Sequence, residues 1–114
     1  MTDYYETVHS ETVAGFDIVF SVGPEYMEPD WDFENEQDRR DTLDRIERGD
    51  LAYFVARVQA FKNGILLATD YLGGCCYDSV KQFIDHSDYY GDMVERVVGE
   101  ARKTIAKLCE TLGD

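Results

Sequence analysis

The stretch LAYFVARVQAFKNGILLATDYL, Leu51 to Leu72, decides the fold. At its centre is Asn63–Gly64. Asn-Gly is the strongest short signal for a β-hairpin, because a two-residue type I′ turn needs positive φ at both positions. The flanking runs, Leu51–Lys62 and Ile65–Leu72, are rich in β-branched and aromatic residues. A two-residue loop sets Lys62 against Ile65 and Phe61 against Leu66. Counting on in the same register places Arg57 opposite Asp70, an ion pair across the strands. Ala52, Phe54, Ala56, Val58 and Ala60 share one face, and their small size predicts a helix packed closely over it.

Towards the C-terminus, Gly73–Gly74 is expected to break the strand in a tight turn. Ser79 and Gln82 form a capping box, which opens a short helix from about Val80 to Asp85. Ser87 or Asp88 then caps a long helix reaching Leu112. Its apolar residues are Tyr90, Met93, Val94, Val97, Val98, Ala101, Ile105, Leu108, Cys109 and Leu112, at spacings of three and four. This is the clearest helical period in the chain.

Towards the N-terminus, Tyr4–Val8 reads as a short strand. Phe16, Ile18, Phe20 and Val22 alternate with more polar residues as a second strand with one buried face. Ala14–Gly15 is the turn between them, and Gly23–Pro24 ends the second strand because Pro cannot donate to a ladder. Glu25–Glu34 is a loop carrying Pro29. Tyr26, Met27, Trp31 and Phe33 interrupt its acids, either as plugs into the core or as exposed anchors. Asn35 or Asp32 caps a helix from about Glu36 to Arg48, stopped by Gly49. Glu36–Arg40, Asp41–Arg45 and Asp44–Arg48 are acid-first pairs at i,i+4, each worth a few tenths of a kcal/mol.

The expected fold is α+β, one small domain over residues 1–114. An antiparallel sheet of about four strands, in two hairpins, is packed by the long C-terminal helix. A short acidic helix lies between the hairpins.

Charge is the other signal. The net charge is −13. Residues 1–50 carry 15 acids against four bases, while residues 51–114 carry nine against seven. Glu25, Glu28, Asp30, Asp32, Glu34, Glu36 and Asp38 follow one another with no Lys or Arg between them, and Trp31 sits in their midst. Such a surface repels nucleic acid and anionic membranes, and speeds encounter with cationic proteins. The chain shows no signal-peptide pattern at Met1–Glu6 and no apolar run near the roughly 20 residues of a membrane span. Three cysteines, an odd number with two adjacent, suit a reducing compartment, so the expected location is cytoplasmic.

Conventional site chemistry finds little support. Asp30, Asp32, Glu34 and Glu36 alternate like a calcium loop, but Asn35 stands where the sharp turn needs Gly and Asp41 where the bidentate Glu belongs. The Gly73–Gly74 turn matches neither a P-loop nor a dinucleotide fingerprint. Cys75 or Cys76 near a helix N-terminus invites a lowered pKa, yet the only bases are His9 and His86, and buried structural cysteines are the simpler reading. Cys75, Cys76 and Cys109 do not make a zinc set. No cofactor, metal or catalytic residue is expected.

The run Gly64-Ile-Leu-Leu-Ala-Thr-Asp-Tyr-Leu-Gly-Gly-Cys-Cys-Tyr-Asp-Ser79 resembles a group of small phage- and plasmid-borne proteins that share a hairpin, a Leu-Gly-Gly-Cys turn and a C-terminal helix. The likeness covers about residues 51–112. It implies a mobile-element origin more than a mechanism. Mobile elements carry small acidic inhibitors of host defence, anti-restriction and anti-CRISPR proteins among them, several of which imitate the charge of nucleic acid.

The function expected from these features is therefore non-enzymatic. An acidic face, made of Glu25, Glu28, Asp30, Trp31, Asp32, Glu34, Glu36, Asp38, Asp41, Asp44 and Glu47, would occupy the nucleic-acid-binding surface of a basic host protein or nucleoprotein complex. The chain would touch neither nucleic acid nor membrane, and would act in the host cytoplasm as a monomer or homodimer. Two alternatives stand beside it: an assembly domain that dimerises through surplus apolar surface on the long helix or around Trp31, and a cysteine-dependent enzyme.

Overall fold

The structure, a computed structural model, describes residues 4–25 and 35–112. The chain runs β1 (Glu6–Val13), β2 (Phe16–Pro24), α1 (Glu36–Glu47), β3 (Ala52–Lys62), β4 (Ile65–Tyr77), α2 (Val80–His86) and α3 (Asp88–Leu112). The four strands form one antiparallel sheet in the order β1-β2-β3-β4. It is an α+β fold of the expected kind, with the long C-terminal helix across the sheet.

Both hairpins turn on a positive-φ pair: Ala14 and Gly15 at 54° and 85°, Asn63 and Gly64 at 52° and 79°. Each is a two-residue turn that matches the twist of its strands. The first pins Val13 to Phe16, so β1 runs right up to the turn as Glu6–Val13 rather than stopping at Val8. The second pairs Lys62 with Ile65 and Phe61 with Leu66, as its loop length requires.

Two features of β4 depart from the simple count. Leu67 is an extra residue between the Phe61–Leu66 and Ala60–Ala68 pairs. The slip puts Val58 opposite Asp70 and Arg57 opposite Tyr71. Asp70 pairs instead with Arg96 of α3, at 2.7 Å. Arg57 lies over the Tyr5 ring, its guanidinium carbon 4.2 Å from the ring centre. Gly73–Gly74 does not end the strand. It forms a bulge opposite Val55, and pairing resumes as Phe54–Cys75 and continues to Ala52–Tyr77. Gly74 takes φ 67°, which only glycine adopts cheaply.

One face of the sheet carries the core. Phe16, Ile18, Phe20, Phe54, Ala56, Val58, Ala60 and Cys75 meet Phe83 of α2 and Tyr90, Met93, Val94, Val97, Val98 and Ala101 of α3. The small residues of β3 let α3 approach closely, as their size implied. Phe83 is the aromatic hub, stacked on Phe20 at 5.5 Å and edge-on to Phe54 and Tyr77 at 5.7 and 5.2 Å. α2 has the expected start: the Ser79 hydroxyl accepts the Gln82 amide, and the Gln82 side chain accepts the Asp78 amide.

On the opposite face Ser21 is fully buried beside Arg57. Tyr5 lies flat over Gly23 there. A Cβ on Gly23 would sit 2.7 Å from the Tyr5 ring, so the close approach requires glycine.

Candidate functional site

Of the acidic face, Glu28, Asp30, Trp31, Asp32 and Glu34 lie outside the described residues. Glu25 and the helical acids have defined places, and these places differ in kind. The Glu25 carboxylate turns across the sheet and accepts the Gly74 amide at 2.8 Å. A side chain on Gly73 would crowd the same carboxylate, 3.0 Å away. Glu25 is therefore a tie between the end of β2 and the β4 bulge.

The others lie on α1. Asn35 caps it, its side chain accepting the Asp38 amide at 2.9 Å. Gly49, at φ 80°, ends it, with Asp50 N–H returning to the Arg45 carbonyl at 2.9 Å. α1 buries none of its residues. Arg39, Thr42, Leu43 and Ile46 are half-buried and mark its inner side. A twelve-residue helix is marginal alone, so caps, charge pairs and this thin stripe together hold it.

Asp38, Asp41, Asp44 and Glu47 are all exposed. Spaced by three, each falls about 60° short of a full turn from the one before. The four do not make a straight row: they wrap the outer half of the helix, opposite the Leu43–Ile46 stripe. Glu36 pairs with Arg39 and Arg40 at 3.3 and 3.6 Å. The Asp41 carboxylate accepts the Gln37 amide group at 2.8 Å. Arg45 reaches Asp78 at the start of α2, at 3.8 Å, and Arg48 reaches Asp50 at 3.4 Å, so neither uses the expected i−4 acid. Among the described residues no base lies in ion-pair range of Asp38, Asp41, Asp44 or Glu47. Over residues 36–48, however, five acids face four arginines, so the helix is close to neutral as a unit. The uncompensated charge of the sequence precedes it, in residues 25–34.

The cysteines have a different character. Cys75 is buried in the core and donates to the Leu72 carbonyl at 3.3 Å. Burial pushes its thiol up to about 11, against 9.0 normally. Burial also raises Cys76, although Arg45 opposes the shift. Because the strand continues through the bulge, both thiols sit in a ladder rather than at a helix N-terminus, and both are protonated at neutral pH. His9 lies on β1, at the opposite edge of the sheet from these thiols. A thiolate nucleophile finds no support here. Among the described residues no three His, Cys, Asp or Glu side chains are grouped to hold a metal, and no helix is long and apolar enough to cross a membrane.

A cluster that sequence reasoning passed over lies on β1. The Glu11 carboxylate accepts the Tyr90 hydroxyl at 2.8 Å and meets His9 Nε2 at 2.8 Å. These bonds, His9 first, hold the Glu11 carboxyl below its ordinary value. Desolvation and the nearby Glu11 carboxylate raise Tyr90. The partners are 79 positions apart, and no local spacing announces them.

Comparison with protein-family models, with curated proteins and with solved structures found no match.

Proposed function

We propose that this protein is a non-enzymatic inhibitor of mobile-element origin, whose acidic face occupies the nucleic-acid-binding surface of a host defence protein, of the anti-CRISPR or anti-restriction kind. The observation that carries this reading is α1: a helix with no fully buried residue that displays Asp38, Asp41, Asp44 and Glu47 without an ion partner among the described residues. Proteins grip duplex DNA with Lys and Arg against one charge per roughly 1.7 Å of axis. Carboxylates on a capped helix, next to the acid-rich 25–34 segment, address the same bases. The partner is a basic protein or nucleoprotein complex, met in the host cytoplasm.

The test is cleavage by purified CRISPR effectors and restriction nucleases, with the protein added at low and high salt. Inhibition is expected to weaken as salt rises and to be competed by DNA. The variant Asp38→Asn/Asp41→Asn/Asp44→Asn/Glu47→Gln is expected to lose about tenfold in affinity, mainly through slower association. Binding indifferent to salt and to these four changes would sink the reading.

A specific observation favours the assembly alternative. Ile65, Leu66, Leu108 and Leu112, respectively 63%, 48%, 48% and 82% exposed, belong to the β3–β4 hairpin tip and the end of α3. Sedimentation that finds only monomer at high concentration removes it.

A further inference from the structure

Away from α1, the outer edge of β1 stands out. Among the described residues no strand pairs with it, and β1 buries none of its eight residues. Native sheets usually blunt such an edge, because its row of free N–H and C=O groups is a template for another strand. The device present here is a bulge. Thr7 pairs with Ser21 and His9 with Phe20, so Val8 is the extra residue. Bulges at edges re-aim side chains, and Val8 becomes one wall of a groove. Val80 and Ile84 of α2 form the other wall, with His9, Lys81 and Asp85 completing the lining. Its volume is about 420 Å³.

We propose that this groove takes an extended segment of a partner protein, which adds to β1 as a fifth strand. The segment places an aliphatic side chain between Val8, Val80 and Ile84, and carries Lys or Arg beside it. The backbone row of β1 supplies affinity and the groove supplies selectivity, the division of labour seen wherever a peptide extends a sheet. Charge selects the occupant. Glu6, His9 and Glu11 share the helix-side face of β1, as their partners Val22, Phe20 and Ile18 show, and Asp85 adds a third acid across the groove. Among the described residues Lys81 is the only Lys or Arg lining it. The edge is also held in place before anything binds, since Glu11 is bonded to the buried Tyr90. A pre-ordered strand loses less entropy on pairing. This site is separate from the acidic helix and does not depend on the role proposed for α1.

The experiment is selection from a library of blocked octapeptides with free choice at every position, followed by titration of the best binder into isotope-labelled protein. Enriched peptides are expected to alternate Ile, Leu or Val with Lys or Arg. They should shift the Glu6–Val13 amides and slow their hydrogen exchange about tenfold or more. N-methylation of alternate peptide amides should cost at least tenfold in affinity, and so should Val8→Lys, a change at an exposed position. No enrichment, equal enrichment of acidic peptides, indifference to N-methylation, or shifts confined to α1 would each overturn the proposal.

Discussion

α1 and α3 are both charged helices, and they are held by different forces. α3 buries Tyr90, Met93, Val94, Val97, Val98 and Ala101 against the sheet. α1 buries nothing. The stability of α3 comes from apolar area removed from water, at about 25 cal/mol per Å². That of α1 comes from Asn35, Gly49 and exposed ion pairs, each worth about 1 kcal/mol or less, together with the half-buried Leu43–Ile46 stripe. A helix held by packing cannot change its buried face without damaging the core. A helix held at its ends leaves its outer half free to be shaped by a partner.

The largest test of this contrast is Phe83→Ala. Phe83 is fully buried and joins Phe20, Phe54 and Tyr77. Its loss should cost about 3–5 kcal/mol in denaturant unfolding. A cost under about 1 kcal/mol would mean that the core is not organised around it. Asn35→Ala should cost about 1 kcal/mol, read as faster hydrogen exchange in α1 with the sheet amides unchanged. If the sheet amides also accelerate, α1 and the core unfold together and the contrast fails.

Acid and alkali probe the packed side. Glu11 titrates below its ordinary 4.5 in the folded protein. Its contribution is therefore complete above that value and is lost as pH falls through the folded one. Tyr90→Phe should flatten this acid limb. Cys75, raised from 9.0 to about 11, works in the opposite direction. Its contribution is complete below 9.0 and declines as pH rises towards about 11, and Cys75→Ala should remove that alkaline slope. The smallest effect belongs to the far end of α3. Leu112→Ala should change stability by less than about 0.5 kcal/mol, because that residue is 82% exposed.

The end of α3 also shows where sequence periodicity stops informing. The apolar stripe continues without change through Ile105, Leu108 and Leu112, yet burial ends near Ala101, with Ile105 only half-covered. The Thr104 hydroxyl donates to the Glu100 carbonyl of its own helix at 3.0 Å and lies 3.5 Å from the Leu67 carbonyl of β4. From there α3 runs eight more residues, about 12 Å, while β4 has only Leu66 and Ile65 left, about 7 Å. The helix outruns its sheet, and only the relative lengths of two packed elements decide that. The Arg57–Asp70 pairing failed for a comparable reason: a bulge at Leu67, marked by no glycine, shifted the register by one. Gly73–Gly74 was visible as a break in pattern. It bends the strand rather than ending it, and the bulge is tied by the carboxylate of Glu25, 49 residues away, accepting the Gly74 amide. Of the acidic face, the exposure of Asp38, Asp41, Asp44 and Glu47 was legible from helical period. The inward turn of Glu25 was not.

What the sequence determined by itself was local: two tight turns, the cap at Ser79, the choice of Asn35 or Asp32 to cap α1, the alternation of β2 and β3, and the helical period of α3. Those depend on φ preferences and side-chain spacing within a few residues. Tertiary structure alone decided which parts of each pattern met a partner. It drew Arg96 to Asp70, Tyr90 to Glu11 and Glu25 to Gly74, left the β1 edge without a strand partner among the described residues and Leu112 exposed at the end of α3, and raised the Cys75 thiol by burying it. Contacts between residues tens of positions apart depend on bulges and element lengths that accumulate along the chain, and no local spacing encodes their sum.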